Sequence, residues 1–134
     1  MKKYFVAYRF TGEDPDVLHS RMTTVVDSLK SVGMDVYCNL FDEKEYQKSK
    51  LDAKEIMDIA FNRIDSSDGL FVVIASDDKS EGMLMEIGYA YAKNKNIIVA
   101  VHQNAKTYVP LIGNRSIIWN NNDDLAAKIK AIEL

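Results

Sequence analysis

The chain has 134 residues, 47% of them hydrophobic, which suits one globular domain spanning residues 1–134 with a substantial core. Its formal net charge is −3 with acidic and basic residues interspersed, so no basic stripe marks it for a nucleic-acid polymer or a membrane surface. Cys38 is the sole cysteine, which excludes an intramolecular disulfide and favours a buried thiol in a reducing, cytoplasmic setting.

The opening MKKYFVAYRF holds an apolar run too short for a signal segment or a membrane span. Within it KYFVAY reads as a buried strand, with RFTGED as the loop after it. Asp14 is placed to cap a helix whose first residue is Pro15. Leu18, Met22, Val25, Val26 and Leu29 form its apolar face and Gly33 its stop. MDVYC repeats the strand pattern, and NLFDEKEYQKSK reads as a charged loop. Ser49 with Asp52 resembles a capping box for a second helix, whose inner face is Ile56, Met57, Ala60, Phe61 and Ile64. GLFVVIA is the most continuous apolar run. After it come the loop SDDKSEG, the helix MLMEIGYAYAKNK, the strand NIIVAVH, a last strand SIIWN and a closing helix over residues 123–134.

Strands alternating with helices at this spacing predict an α/β fold: a flavodoxin/Rossmann-like three-layer sandwich around a five-stranded parallel sheet. Ligands of such sheets bind beyond the carboxyl ends of the strands, where the strand order reverses. The loops at that edge are RFTGED, NLFDEKEYQ, SDDKSEG and HQNAKTY.

Glu86 is the only charge between Met83 and Ala92. On a helical wheel it shares a stripe with Tyr89, Ala90 and Lys93, while Leu84, Ile87, Tyr91 and Asn94 point elsewhere. Periodicity alone is therefore satisfied by a solvated face. Against that, Gly82, Gly88 and Ala90 leave room for a strand, a backbone or a ligand to approach the carboxylate. Ser80 and Gly82 stand where free N–H groups at a helix N-terminus attract an anion, with a plain N-cap as the simpler role for Ser80.

SEGMLMEIGYAYAKNKNIIVA, residues 80–100, resembles the signature of the nucleoside 2-deoxyribosyltransferase family. That signature has an acidic or seryl residue, a glycine and a glutamate ahead of G-x-A and a K-x-hydrophobic strand. The likeness runs from Asp68 to Val101, and Tyr4-Phe5 matches the Tyr-Phe strand that opens family members. The resemblance implies Glu86 as the catalytic nucleophile and Tyr4 as the residue that holds it by a hydrogen bond. Six residues before the glutamate, transferases acting on nucleosides carry aspartate, whereas this chain has Ser80, as does the branch that hydrolyses nucleoside 5′-monophosphates. A hydroxyl can donate to phosphate where a carboxylate would repel it. Arg9, Thr11 and Gly12 then resemble the family's phosphate-facing first loop, a solvated Arg9 being the plain alternative. The family's acid for the leaving base lies eight residues before the aspartate matching Asp68, and that position is Ala60 here. Asp58 is the nearest candidate, although two residues turn a helix by about 200°. A local insertion leaves Asn62 and Asp65 open as well.

Breaking a base–sugar bond builds positive charge on the sugar, which an ionised Glu86 can stabilise or bond to. A phosphate held by Arg9, Thr11, Ser80 and Gly82 would orient the sugar, and Phe10 or a residue of NLFDEKEYQ is available to stack on the base. The expected function is hydrolysis of the N-glycosidic bond of a ribo- or deoxyribonucleoside 5′-monophosphate, releasing free base and sugar 5-phosphate. Base exchange by a 2-deoxyribosyltransferase is one alternative, and a non-catalytic nucleotide-binding or signalling domain is another. His19, His102 and Cys38 show no metal-ligand spacing, so no metal and no cofactor are expected. The expected partners are a small-molecule nucleotide or nucleoside and a second copy of the chain. Family sites borrow a residue from the neighbouring subunit, and Thr107 and Asn114 are the residues available to lend.

Overall fold

The computed structural model describes residues 1–132. Its strands are β1 (Lys3–Tyr8), β2 (Asp35–Tyr37), β3 (Gly69–Ile74), β4 (Asn96–His102) and β5 (Arg115–Trp119). They form one parallel sheet in the order β2-β1-β3-β4-β5, so the order reverses between β1 and β3. β3 is buried at every position because apolar layers cover both of its faces, which is why GLFVVI lacks a polar alternation.

Register sorts the strand residues into two cores. Val6, Phe71 and Ile98 align on one face, under helices α1 (Pro15–Ser31) and α5 (Asn122–Ala131). Phe5, Leu70 and Ile97 align on the other, under α3 (Ala53–Asp65) and α4 (Glu81–Ala92). The result is the three-layer α/β sandwich that the alternation predicts. Among the described residues no helix is long and apolar enough to cross a membrane.

Local signals explain most boundaries. Asp14 Oδ1 accepts from the N–H groups of Asp16 and Val17, both at 3.0 Å, with Pro15 next to it, and Gly33 ends the helix region at φ +89°. Cys38 is buried, as expected of a lone thiol. Three boundaries differ from expectation. The segment NLFDEKEYQKSK is a 3₁₀ turn (Asn39–Asp42) followed by a short helix, α2 (Glu43–Lys48), and not an open loop. Long-range contacts order it: Tyr46 is buried, and Arg63 donates to Asn39 Oδ1 at 2.8 Å and Asp42 Oδ2 at 2.6 Å. The capping box lies one turn later than Ser49, with Asp52 accepting from Glu55 N–H at 2.8 Å and the Glu55 side chain returning to Asp52 N–H. The last helix ends at Ala131, and Leu134, its expected end, lies outside the described residues.

The amino-terminal edge of the sheet is closed by side chains. The Tyr4 ring lies across Gly69 to reach β4, where Asn96 Nδ2 donates to its hydroxyl at 2.8 Å. A Cβ at position 69 would overlap that ring and lie 2.5 Å from the Asn96 carbonyl oxygen. Gly69→Ala should therefore destabilise the protein by about 1–3 kcal/mol through overpacking, read as a thermal midpoint several degrees lower. An unchanged midpoint would show that Tyr4 can leave this position freely.

Candidate functional site

The carboxyl-terminal edge, at the β1/β3 reversal, holds a narrow cleft of about 10 Å³. Its cleft is lined by Tyr8 and Arg9 at the end of β1, Glu13 and Arg21 around the start of α1, and Asp78 and Met83 after β3. This is where a doubly wound sheet places its ligand.

Glu86 lies on α4 about one turn beyond Met83, which lines this cleft. Its helix neighbours Met83, Ile87 and Ala90 are buried against β1, β3 and β4, and Glu86 lies on that buried side with 9% of its surface exposed. The solvated-face alternative is thus wrong, as is the placement of Ile87 on a different face. Both errors have one cause: Leu84, Met85 and Tyr91 on the outer face are apolar too, so hydropathy could not tell in from out. Among the described residues the carboxylate has neither a hydrogen bond nor an ion pair to offset its burial. Desolvation alone pushes its pKa up from 4.5 to about 8.

The tyrosine that feels the charge of Glu86 is Tyr8, not Tyr4. Tyr4 is buried at the opposite edge of the sheet and bonded to Asn96, so it cannot hold the carboxylate. Tyr8, two strand repeats further along the same face of β1, lines the cleft. Burial raises its phenol pKa strongly, with further contributions from Cys38, Glu86 and Glu43 nearby, so the phenol stays protonated as a donor. Burial likewise pushes the Cys38 thiol up to about 12, which leaves it inert at neutral pH. Asp58 is not part of this group: it is solvent-exposed on α3 and paired with Lys54 at 2.7 Å. Asn62 is also exposed, and Asp65 accepts from the Tyr89 hydroxyl at 2.7 Å. The second carboxylate acting on Tyr8 is Glu43, at the start of α2, inside the segment expected to be a loop.

The remaining expected residues divide. Gly12 has φ +84°, and a Cβ there would lie 2.6 Å from Arg9 Nη2, so glycine lets the arginine fold back over the loop. Arg9 is not the solvated cation of the plain alternative: it faces Glu13 at 3.7 Å and Asp78 at 4.0 Å. Phe10 and Thr11 are exposed on the loop. Ser80 is the N-cap of α4, accepting from Met83 N–H at 3.2 Å, which leaves its hydroxyl proton free to donate. Gly82 lies in the first turn of α4. Thr107 Oγ1 accepts from Val109 N–H at 3.2 Å. Asn114 is committed to its own sheet, accepting from Ile97 N–H at 2.8 Å. Among the described residues no three His, Cys, Asp or Glu side chains cluster as a metal site.

With this geometry in place, the family model described as Nucleoside 2-deoxyribosyltransferase matches residues 7–127. The chain belongs to that family. Solved structures agree on the fold. The CMP N-glycosidase BcmB of Clostridium botulinum superposes with a TM-score of 0.73 at 18% identity, over 98% of this chain and 100% of its own. A conserved protein of Enterococcus faecalis V583 gives 0.67 at 18% identity, over 97% and 98%. The 2-deoxyribosyltransferase of Bacillus psychrosaccharolyticus gives 0.65 at 14% identity, over 98% and 93%. No curated protein matches in sequence. This nucleoside 2-deoxyribosyltransferase family member thus shares its fold with both an N-glycosidase and a 2-deoxyribosyltransferase.

The raised pKa of Glu86 carries a stability signature opposite to that of a salt-bridged carboxylate. The folded state holds a proton that the unfolded chain releases near pH 4.5. The advantage of keeping Glu86 neutral is therefore full below about pH 4.5 and is lost as pH rises toward about 8, at up to ~1.4 kcal/mol per pH unit. Glu86→Gln removes this dependence. Denaturation of both proteins from pH 5 to 8 should show the variant gaining stability over wild type as pH rises, whereas a constant difference would mean Glu86 is already ionised.

Proposed function

We propose that the protein hydrolyses the N-glycosidic bond of a nucleoside 5′-monophosphate, ribo or deoxyribo, with Glu86 as nucleophile. One observation carries this reading: a buried carboxylate without a partner stands at the sheet reversal, in the helix whose sequence matches the family signature. Burying such a group costs stability, and catalysis is the common reason to keep it. As the base departs, positive charge grows on the sugar and supplies the missing partner, so Glu86 ionises where the transition state needs it. The protonated Tyr8 phenol is a donor available to the carboxylate once Glu86 ionises. Glu43, which faces the same phenol, takes the proton-donating role that Asp58 is too distant to play.

The phosphate sits between the RFTGED loop and the start of α4, near Arg9, Thr11, Ser80 and Gly82. The N–H groups of the first turn and the Ser80 hydroxyl favour an anion there. Serine at position 80 supports hydrolysis of a monophosphate over base exchange between nucleosides. A panel of nucleosides and 5′-monophosphates scored for free base separates the two, since a transferase needs a second base. Glu86→Ala should remove nearly all turnover with the fold intact, and retention of more than about a tenth of the rate would refute the nucleophile assignment. For the wild type, kcat/KM should climb with pH to a plateau above about 8, because the free enzyme must lose the Glu86 proton.

The partner in this reading is a second copy of the chain. α4 exposes Leu84, Met85 and Tyr91 around Gly88, whose missing side chain would meet no atom of its own subunit. On the same side of the sheet, Tyr108 and Leu111 are 86% and 80% exposed, and Ile118 of edge strand β5 has no helix over it. At roughly 100–200 Å² for each large side chain, these six supply about the 800 Å² per partner of a standard interface. Thr107 borders this surface and is free to face the neighbour. Light scattering at micromolar concentration should give the mass of two chains, and Leu84→Arg with Tyr91→Arg the mass of one; a monomeric wild type overturns the interface.

A further inference from the structure

Two arginines face the cleft, and their electrostatic circumstances differ. Arg9 lies beside two carboxylates, Glu13 and Asp78. Arg21, on α1, is half-buried and makes no hydrogen bond or ion pair among the described residues, with Glu13 alone of the acids acting on it from nearby. Its guanidinium carbon lies 5.6 Å from the centroid of the Trp119 ring, a cation–π contact that satisfies none of its five N–H donors. Arg21 also lines the adjoining polar pocket, with Trp119, His102 and Asn120 to Asp123 at the start of α5. His102 is engaged at both ring nitrogens, with Asn104 N–H 3.1 Å from Nδ1 and the Asn120 carbonyl oxygen 3.0 Å from Nε2.

We propose that Arg21 is a further anion anchor and specificity residue of this cleft, reaching from α1 the same phosphate that the RFTGED loop and the start of α4 face. Charge balance supports it. Arg9, Glu13 and Asp78 together carry one net negative charge, so without Arg21 the cleft repels a phosphate, and with it the charged lining is neutral. A planar guanidinium already in contact with an aromatic ring loses little freedom on gripping two phosphate oxygens, which suits a bidentate contact. This inference rests on the hydrolase reading for its ligand, since sugar 5-phosphate is the product there, but it can be tested without turnover.

Trp119 is the only tryptophan, lies under Arg21, and its indole N–H has no acceptor among the described residues, which makes it a built-in reporter. Ribose 5-phosphate, inorganic phosphate and ribose would each be titrated into the full chain while following tryptophan fluorescence and the single indole N–H resonance. Saturable changes are expected with the two phosphate-bearing probes and none with ribose. Arg21→Gln should weaken ribose 5-phosphate binding at least tenfold, Arg21→Lys should restore part of it, and Arg9→Ala should have the smaller effect. A silent Trp119 in the wild type, or binding by Arg21→Gln within twofold of wild type, overturns the assignment. Should Arg21→Gln not fold by circular dichroism, Arg21→Lys and the wild-type resonance shift decide alone. Arg21-dependent binding in a protein that releases no base would sink the hydrolase reading and keep the anchor. Base release with a KM indifferent to Arg21 would do the reverse.

Discussion

Glu86 is a carboxylate packed where a hydrophobic side chain would be cheaper. Its helix has to press Met83, Ile87 and Ala90 onto the sheet, and one position of that buried stripe is charged or protonated according to its surroundings. A buried acid without a partner is destabilising once ionised, so the rest of the molecule must hold it. The fully apolar β3, the two aligned cores and the side-chain closure at the amino-terminal edge provide that margin. The same desolvation raises the affinity of the carboxylate for a positive centre, because charge interacts more strongly where water is excluded.

Around this group the cleft is built from opposed pairs. Arg9 is restrained by two acids, the Tyr8 phenol is kept protonated by burial and by the negative charges near it, and Ser80 spends its lone pair on the helix cap while keeping its proton. Each restraint sets the direction of a side chain before any ligand arrives. That preorganisation lowers the ordering cost of binding.

The fold was largely legible in the sequence because its signals are local: Asp14-Pro15, Gly33 and five apolar runs place β1, α1 and the sheet without knowledge of tertiary contacts. α2 was not legible, since six residues carry little periodicity and their order comes from Arg63, more than twenty positions away in sequence. Within the site, Glu86 was identifiable from the family signature, but its burial was not, because α4 is apolar on both sides. Tyr8 could have been found: it is the last residue of β1, on the same face as Tyr4, and parallel sheets place their ligands at the carboxyl ends of strands. Glu43 and the contrast between Arg9 and Arg21 depend on which acids fold toward which bases, and spacing along the chain does not record that.

The closed edge of the sheet has a mechanical consequence. Tyr4 bridges to Asn96, Lys3 N–H donates to Asp68, and Asn114 is bonded to Ile97, so β1, β3, β4 and the approach to β5 are tied together where the strands begin. The loops where the strands end are joined as well, by Lys106 N–H donating to Asp77 Oδ1 at 2.6 Å and by Arg9 facing Asp78 at 4.0 Å, so the sheet is fastened at both of its ends. Insertions and sequence drift can accumulate in the loops after β1, β2 and β4 without altering the position of Glu86, because α4 takes its bearing from the sheet interior and not from the loops around it.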